Sequence, residues 1–377
     1  MRIALSALQQ RHYLTGTGRY LSEVFRHMAR LEPSSEWLLY VKPDQVPLFP
    51  AEPPERLRVM DGCPSHPAGR ILWEWLRFPG VLRKDGVDLY HGPANFLPVR
   101  KVCPYVLTLH DMFFFRNPGR TSRLRALYWT SVIRATWREA DVILTGSEFA
   151  RGEILRYLPV PPERIRVIPH GVDDKFFEPA PAAIRKEMRD ALGITGLYIL
   201  FAGRLDPDKN PEGLIRAFHL LVESGKAGDR SLVIAGARDY QSGRLPQLAR
   251  ILGLEERVLF TGYVEERHLP ALYQEADVFC YPSRNEGFGL PPLEAMASGV
   301  PVVAGDSSSL PEVVGKAGIL ADPDDPRAIA QGIAEALEPG RGSEMREAGR
   351  ARARTFTWER SAALHLDAYH EALNRRV

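Results

Sequence analysis

The sequence predicts an α/β fold built from two doubly wound domains. Short apolar, β-branched runs alternate with longer segments of helical period along the whole chain, a pattern typical of parallel strands joined by helical crossovers. The chain has 377 residues, more than one hydrophobic core usually serves. A segment rich in proline and alanine, at 177–183, separates two copies of the pattern. We therefore expect domains at 1–179 and 180–355, each with its own parallel sheet.

Each copy of the pattern supplies five strand candidates. They lie at 3–8, 37–41, 87–90, 105–109 and 142–145 in the first half, and at 198–201, 232–235, 258–260, 278–281 and 300–304 in the second. Helices in the first half are predicted at 18–31, 70–84, 123–139 and 148–158, the last with Ser147 as its N-cap. The segment 356–377 has an apolar face that predicts a terminal helix docked on another part of the protein; the face consists of Trp358, Ala362, Leu366, Tyr369 and Leu373.

Bulk composition excludes several function classes. A net charge of +2 gives no reason to expect nucleic acid as a partner. The N-terminal segment is too short and too polar for a signal peptide or membrane anchor, and the three cysteines are scattered without metal-ligand spacing, so a cytoplasmic location is expected. The charge is uneven, because residues 1–180 carry 25 Lys and Arg against 19 Asp and Glu. Any role of a basic surface therefore belongs to the first half.

Ligands of open α/β sheets bind at the carboxyl ends of the strands, so the loops after strands hold the candidate site residues. Gly16 and Gly18 lie in a glycine-rich segment after the first strand, where backbone amides at a helix start suit an anionic group. A flexible loop before a helix is the alternative. The segment is not a dinucleotide fingerprint, because Leu21 stands where the third glycine would be. His110 and Asp111 follow a strongly apolar strand and are placed to meet a ligand, or else form an exposed polar turn.

Two further loops follow strands of the second half. After the strand at 198–201, Gly203 is followed by Arg204 and Lys209, two cations that suit a diphosphate group. An ordinary charged surface loop is the alternative there. After the strand at 278–281, Glu286 and Glu294 lie eight positions apart around a glycine-rich turn. Their carboxylates suit the hydroxyl groups of a sugar or ribose, and nearby amides suit its oxygens.

The segment 282–318, PSRNEGFGLPPLEAMASGVPVVAGDSSSLPEVVGKAG, resembles the signature of family 4 retaining glycosyltransferases, including its Glu-x7-Glu element. Other motifs of that family precede it along the chain in the expected order: the glycine-rich segment, the His-Asp pair, TGSEFAR at 145–151, RVIPHGVD at 166–173 and AGRLDPDKN at 202–210. The resemblance spans nearly the whole chain. It implies the GT-B fold, in which two Rossmann-like domains face a central cleft and a C-terminal helix crosses back to the N-terminal domain.

The resemblance also implies residue roles. Arg204 and Lys209 would bind the donor diphosphate, Glu294 the ribose, and Glu286 the transferred hexose. His110, with Asp111, would lie near the reaction centre. Phe288, Gly289 and Leu290 would hold sugar and phosphate oxygens through their amides, and Gly16 with its neighbours would close on the phosphates. Transfer would retain the anomeric configuration and need no metal or other cofactor. The two Asp-Pro-Asp segments, at 206–208 and 322–324, are interpreted as loop acids.

The sequence identifies the donor and acceptor substrates less specifically than the fold and the site. GDP-mannose is the expected donor, with UDP-glucose or UDP-N-acetylglucosamine as the alternative, and the expected acceptor is a saccharide or a lipid-linked saccharide. Residues 112–138 carry six arginines, no acid and several aromatics, and 70–84 adds Trp73, Trp75 and further arginines. These two segments form either a face for anionic lipid or a lipid-linked acceptor, or an amphipathic helix pair with its aromatics packed inward. A nucleotide-sugar epimerase and a non-catalytic sugar-binding protein are the competing functions.

Overall fold

The computed structural model describes residues 1–10, 16–49, 56–116, 119, 123–237 and 243–375. The chain forms two compact units. Unit 1 comprises Met1–Gly171 together with Trp358–Val377, and unit 2 comprises Val172–Thr357. The boundaries between the units lie at 171/172 and 357/358. The predicted domain limits lie at 179/180 and 355/356 and stay predictions.

Unit 1 contains a seven-stranded parallel sheet in the order β3-β2-β1-β4-β5-β6-β7. Its strands are β1 (Arg2–Ser6), β2 (Glu36–Val41), β3 (Leu57–Val59), β4 (Leu89–Gly92), β5 (Tyr105–Thr108), β6 (Val142–Thr145) and β7 (Ile165–Val167). Its helices are α1 (Gly16–Leu31), α2 (Pro67–Leu76), α3 (Phe78–Lys84), α4 (Phe113–Arg116), α5 (Arg123–Thr136), α6 (Glu148–Tyr157) and the terminal α15 (Trp358–Asn374).

Unit 2 contains a six-stranded parallel sheet in the order β10-β9-β8-β11-β12-β13. Its strands are β8 (Tyr198–Ala202), β9 (Ser231–Ala235), β10 (Val258–Gly262), β11 (Val278–Tyr281), β12 (Val302–Gly305) and β13 (Ile319–Ala321). Its helices are α7 (Ala182–Leu192), α8 (Pro211–Glu223), α9 (Arg244–Ile251), α10 (Leu269–Gln274), α11 (Leu290–Ala297), α12 (Leu310–Val314), α13 (Pro326–Ala336) and α14 (Pro339–Ala353).

Both sheets have the doubly wound order of a Rossmann-like fold, which confirms the predicted fold class. The central strands are buried along their whole length because helices cover both faces of a parallel sheet. In each sheet the chain winds outward from the first strand to one edge and then returns to its other side. The strand order therefore reverses between β1 and β4 in unit 1, and between β8 and β11 in unit 2.

Three helix predictions need correction. The helix predicted at 70–84 is two helices, α2 and α3, because Pro79 cannot donate the next intrahelical hydrogen bond and the chain turns at Arg77. The helix predicted at 123–139 ends at Thr136 and continues as one 3₁₀ turn. The helix predicted from Gly18 begins two residues earlier, at Gly16, so both glycines lie in the first turn of α1. Thr15, which precedes Gly16 in the glycine-rich segment, lies outside the described residues.

The terminal helix α15 packs on unit 1 alongside α1. Trp358, Ala362 and Tyr369 are buried as the apolar face predicts, whereas Leu366 and Leu373 are only half-buried. The buried face of α15 therefore differs from the predicted one, because it includes the polar residues Ser361 and His365. The Tyr20 hydroxyl on α1 and Nε2 of His365 are 2.7 Å apart, so this polar face is used in docking.

Candidate active site

The second-half candidate residues lie at the point of unit 2 where the strand order reverses. The neighbouring strands β8 and β11 pair through Ile199 and Val278, although almost eighty residues separate them along the chain. The loops at 203–210 and 282–289 follow these two strands directly. In a doubly wound sheet, this is where a crevice for ligands opens.

The loop after β8 begins with a close approach to β11. A Cβ atom at Gly203 would lie 3.0 Å from the ring of Tyr281, so a larger residue would displace that ring. Downstream, Oδ1 of Asp206 accepts hydrogen bonds from the backbone of Asp208 and Lys209, which closes a tight turn. Arg204 is exposed and forms an ion pair with the other Asp206 oxygen, at 2.8 Å. Burial raises the pKa of Asp206, and the nearby cations of Lys209 and Arg204 oppose that rise.

Lys209 joins the two loops. Its Nζ donates to Oε1 of Glu286 at 2.6 Å and to the carbonyl of Asn285 at 3.0 Å. Both ionised side chains are largely buried, at 14% and 13% exposure, so the pairing is shielded from water. The buried Tyr281 hydroxyl also bonds Glu286, and burial is the main cause that raises the pKa of Tyr281. An ammonium group has three hydrogens, so the pairing leaves room for a contact to an anion.

Three consecutive serines hold the loop that carries Glu286. Ser307 donates to the carbonyl of Ser283 at 2.7 Å. The hydroxyl of Ser308 accepts from the Glu286 amide at 3.0 Å. Ser309 is fully buried and bonds the carbonyls of Glu286 and Phe288, at 3.0 and 2.6 Å. The loop geometry is therefore set by side chains from the next strand–helix connection.

The start of α11 explains the glycine-rich turn. Gly289 has φ of 118°, and a Cβ there would lie 2.9 Å from Cδ2 of Leu310, so both conformation and space require glycine. Pro291 and Pro292 have no N–H, and Leu290 therefore carries the only amide hydrogen in the first three helical positions. The side chain of Phe288 is buried.

Glu294 lies in the second turn of α11 and is 4% exposed. Its Oε2 accepts a hydrogen bond of 3.0 Å from the hydroxyl of Tyr273, a fully buried side chain on α10. A carboxylate offers about four lone-pair sites, so Glu294 can accept from ligand hydroxyls as well as from Tyr273. Tyr273 fixes the carboxylate direction, and no sequence pattern pointed to it.

In unit 1, His110 is held at two atoms. Its backbone N–H donates to Oδ1 of Asn95 at 2.9 Å, and its Nε2 lies 2.8 Å from the carbonyl of Pro93. A carbonyl only accepts, so Nε2 carries the hydrogen. Burial lowers the pKa of His110, with the Pro93 contact and Asp111 opposing, so the ring is neutral near pH 7 and Nδ1 has a lone pair.

Asp111 has a visible structural function. Its Oδ1 accepts a hydrogen bond of 2.9 Å from the backbone of Phe113, the first residue of α4. The carboxylate therefore caps that short helix and also favours the charged form of His110. Its catalytic role stays a prediction.

A buried polar network surrounds His110, and sequence reasoning missed most of it. The Tyr20 ring packs edge-on against His110, with centroids 5.0 Å apart, and the Tyr20 hydroxyl lies 2.9 Å from that of Thr108. Thr108 lies 2.7 Å from Nε2 of His91, whose Nδ1 lies 2.6 Å from the Tyr369 hydroxyl. Tyr20 follows Gly16 and Gly18 in the first turns of α1. The network thus ties the helix start, β4, β5 and α15 to the immediate surroundings of His110.

The two groups of predicted residues belong to different units. In unit 2, the chain brings Gly203, Arg204, Lys209, Glu286 and the 288–294 segment to one edge of a sheet. In unit 1, Gly16, Gly18, His110 and Asp111 lie within one neighbourhood linked by Tyr20. Among the residues that the structure describes, no cluster of three or more His, Cys, Asp or Glu is arranged to hold a metal ion.

Comparison with known proteins places both units in established families. The model for glycosyl transferases group 1 matches residues 184–356, and the model for Glycosyltransferase Family 4 matches residues 14–176. These two matches correspond to unit 2 and unit 1 along most of their lengths.

Individual relatives agree with the family models. The O-antigen chain mannosyltransferase B of Escherichia coli is 33% identical, over 98% of this chain and 99% of its own length. A D-inositol 3-phosphate glycosyltransferase of Xylanimonas cellulosilytica is 35% identical, over 79% of this chain and 76% of its own. Among solved structures, the sucrose-phosphate synthase of Thermosynechococcus elongatus aligns over the full length of both chains with a TM-score of 0.79 at 21% identity, which supports the fold.

Proposed function

Because the chain belongs to glycosyltransferase family 4, we propose that it transfers mannose from GDP-mannose to a hydroxyl of a saccharide or lipid-linked acceptor. We propose further that the transfer retains the anomeric configuration and needs no divalent metal. The observation that carries the proposal is the Lys209–Glu286 pair, with Glu294 on the following helix, where the strand order of unit 2 reverses.

The donor roles follow from the chemistry of these side chains. Lys209 binds a phosphate oxygen through its remaining hydrogen while it stays bonded to Glu286, and exposed Arg204 supplies a second, fork-shaped cation. Glu286, held by Lys209 and Tyr281, accepts from hydroxyls of the transferred hexose. Glu294 accepts from the ribose while Tyr273 keeps it oriented.

Two cations near a diphosphate support a reaction without metal. The departing diphosphate gains negative charge as the glycosidic bond breaks, and Arg204 and Lys209 stabilise that charge without reorganising. The diphosphate oxygen itself takes the proton from the acceptor hydroxyl on the same face of the sugar, so no protein nucleophile is needed. Neutral His110 accepts a hydrogen bond from a hexose hydroxyl at Nδ1 and contributes orientation rather than charge.

Mannose is the preferred sugar for two reasons. The relative that matches this chain over nearly its whole length is named a mannosyltransferase. The glycine-rich segment and the stretch His-Asp-Met-Phe-Phe-Phe-Arg-Asn-Pro at 110–118 resemble those of GDP-mannose-dependent enzymes. UDP-glucose and UDP-N-acetylglucosamine remain the alternative donors.

A ligand panel followed by a turnover assay tests the donor assignment. A ligand that binds only the folded protein raises its melting temperature, so GDP should raise it more than UDP or ADP at equal concentration. In the assay, GDP-mannose labelled in the sugar should release free mannose slowly without acceptor, and the rate should not change with EDTA. A shift with UDP alone would show that the mannose assignment is wrong.

Two glutamate variants of unit 2, one at the proposed ribose contact and one at an exposed position, test the donor site. Glu294→Gln should weaken the shift with GDP, because the ribose contact is altered, whereas Glu212→Gln on the exposed first turn of α8 should leave it unchanged. Retention is checked separately by the anomeric signal of the first product in proton NMR. An inverted product would contradict the proposed stereochemistry and leave the donor assignment standing.

The acceptor side belongs to unit 1, which holds the excess of basic residues. A saccharide carried on a phosphate-linked lipid is anionic near its reacting end, so a basic surface favours its approach. No helix in the described parts of the chain has the length and hydropathy to cross a bilayer. We propose that the protein meets a lipid-linked acceptor from the cytoplasmic face of the membrane, as a peripheral protein.

A further inference from the structure

A cavity of about 440 Å³ lies between α2 and α5 in unit 1. Its lining is almost entirely apolar and includes Ile71, Leu72, Trp75, Tyr128, Val132 and Ala135. The floor is a small apolar cluster separate from the main core, in which Trp75 stacks on Phe96. Cavities of roughly 150 Å³ with such linings hold benzene, so this one has room for a longer hydrocarbon segment.

Exposed leucines surround the cavity. Leu72 and Leu76 on α2 are 55% and 73% exposed, and Leu124 and Leu127 on α5 are 82% and 64% exposed. Leu124 lies four residues before Tyr128, and Leu127 lies four before Ser131, so both continue the cavity-lining stripe toward the N-terminus of α5. Contiguous exposed apolar surface of this kind marks a binding face.

Two polar atoms in the lining have no partner. Trp75 and Tyr128 line the cavity, and their Nε1 and Oη atoms are buried without a hydrogen bond to any described residue. Both atoms are also closed off from the cavity, so the surface that a ligand can touch is almost wholly apolar. The cavity therefore suits a hydrocarbon chain, and the polar part of an amphipathic ligand would stay outside it.

The surface around the leucines is cationic. Arg77, Arg123, Arg134 and Arg138 are all exposed. Residues 123–138 contain no Asp or Glu, and the acid of α2, Glu74, is fully buried beside Arg70. Arg134 and Arg138 lie over the rings of Phe115 and Trp137, so their aliphatic parts cover apolar surface while their charged ends reach outward. Arginine beside exposed leucine is typical of helices that lie at an anionic bilayer surface.

We propose that α2 and α5 form a lipid-binding face that rests on an anionic phospholipid bilayer, with one lipid chain in the cavity. The sequence left two interpretations of this region open. The structure contains features of both, since Trp137 packs inward while the four leucines do not. The inference deepens the acceptor side of the proposed function and rests on it only for the role of the bound lipid, which is to hold the enzyme beside a lipid-linked acceptor.

Sedimentation with vesicles tests the face. The full chain should sediment with phosphatidylglycerol vesicles at least tenfold more than with phosphatidylcholine vesicles, and 1 M salt should weaken the binding. The double variant Leu124→Glu with Leu127→Glu should lose at least tenfold in binding. Ile251→Glu, on α9 of unit 2 with 73% exposure, is the matched control and should bind as the wild type. Equal binding by all three proteins, or no binding by the wild type, would overturn the proposal.

Quenching of tryptophan fluorescence tests whether a lipid chain occupies the cavity. Phosphatidylglycerol with brominated acyl chains should quench tryptophan fluorescence of the wild type, and Trp75→Phe should remove most of that quenching. Quenching that persists in Trp75→Phe would place the chain elsewhere and overturn the cavity assignment. GDP-mannose hydrolysis, measured without vesicles, distinguishes this failure from that of the donor proposal. The rate of this hydrolysis should be unchanged in the leucine double variant. If the wild type did not hydrolyse GDP-mannose, the donor proposal would fail, but the conclusion from vesicle binding would not change.

Discussion

At the scale of single residues, Glu286 and Glu294 occupy different environments and should have separable functions. Glu286 is bonded to a cation and lies in a loop, whereas Glu294 is buried in a helix and held by a tyrosine. Glu286→Gln removes the charge beside Lys209 and should lower kcat about 100-fold with little change in KM for the donor. Glu294→Gln should raise KM for the donor about tenfold with a smaller effect on kcat. Steady-state kinetics with GDP-mannose measures both.

The outcome that would contradict this division is equal loss in both parameters for both variants. Glu212→Gln provides the baseline, because Glu212 is 60% exposed and pairs only with Arg216 in the side-chain contacts that the structure describes. Its kinetics should match those of the wild type.

Asn95 should position His110. It is one of the few non-glycine residues in the left-handed region, with φ of 60°, and its backbone N–H bonds the carbonyl of Thr108. Its side chain accepts from the His110 amide. Asn95→Gly keeps the backbone conformation but loses that acceptor, so kcat should fall about tenfold, an effect of roughly 1.4 kcal/mol, while the melting temperature changes little. Asn95→Asp keeps an acceptor oxygen and should retain most activity.

The backbone and side-chain contributions separate with a third variant. Asn95→Ala loses the acceptor and also has to adopt the left-handed conformation, which costs about 1 kcal/mol more. It should therefore melt below Asn95→Gly while showing the same kcat. If Asn95→Gly were fully active, His110 would not depend on Asn95.

The residues that sequence reasoning missed are those whose partners are distant along the chain. His110, Glu286 and Glu294 were predictable because each lies in a motif directly after a strand. His365 and Tyr273 carry no such signal, since one lies in an apolar helical stripe and the other in a six-residue helix. Their contacts to Tyr20 and Glu294 exist only once the sheets have formed.

At the scale of elements, the inner strands and the five-residue edge strand β10 were predictable, whereas the three short edge strands were not. The strands at 142–145 and 278–281 match their predicted limits, because both are four-residue apolar runs buried on both faces. The edge strands β3, β7 and β13 have three residues each, and β3 and β7 carry a central arginine. Three residues are too few for a period of two to be recognised, so these strands form through pairing with a neighbour rather than through local pattern.

The serine segment at 307–309 should control the shape of the loop that carries Glu286. Ser309→Ala removes a fully buried hydroxyl that bonds two carbonyls of the loop, of Glu286 and Phe288. The buried carbonyl of Phe288 then loses a partner at a cost of about 1 to 3 kcal/mol, and the partly buried carbonyl of Glu286 loses one at a smaller cost. We expect a lower melting temperature of unit 2 and a fall in kcat of at least tenfold. Calorimetry and turnover of GDP-mannose measure the two effects.

Ser224→Ala is the matched control for this loop. Its hydroxyl also bonds backbone carbonyls, at 2.8 and 3.2 Å, but at the end of α8. Any loss there should stay within about 0.5 kcal/mol and leave kcat unchanged, because water can replace the bond. If Ser309→Ala behaved like Ser224→Ala, the serine segment would not hold the loop.

At the scale of the whole molecule, two sheets with the same winding order put the candidate residues at equivalent places. In unit 2 they follow β8 and β11, and in unit 1 they follow β1 and β5, so in both sheets they come after central strands. The sequence predicted this much because the carboxyl ends of central strands are fixed by the fold class alone. It did not predict that unit 1 buries His91, His170 and His365.

Those histidines should make the protein acid-sensitive. Burial is the main cause that lowers the pKa of all three, to about 4 for His365 and well below the usual value for His91 and His170. Between pH 6.5 and 4 the unfolded chain then binds more protons than the folded chain, so stability falls as the pH falls. At pH 5 the shift of His365 costs about 2 kcal/mol relative to pH 7, and His91 and His170 act in the same direction.

Glu74 acts in the opposite direction. Burial raises its pKa to about 7 despite the nearby Arg70, so the folded chain takes up this proton between pH 7 and 4.5, and acidification stabilises it by about 2 kcal/mol at pH 5. The buried histidines of unit 1 outnumber this carboxyl, so the free energy of unfolding of unit 1 should be lower at pH 5 than at pH 7. Urea denaturation at pH 7 and pH 5 measures this difference.

Two variants separate the opposing effects. Glu74→Gln should enlarge the loss of stability between pH 7 and pH 5 by about 2 kcal/mol, and His365→Gln should reduce it by a similar amount, since each removes one of the opposing protonations. Equal stability at both pH values would mean that the buried histidines are not kept neutral by the fold.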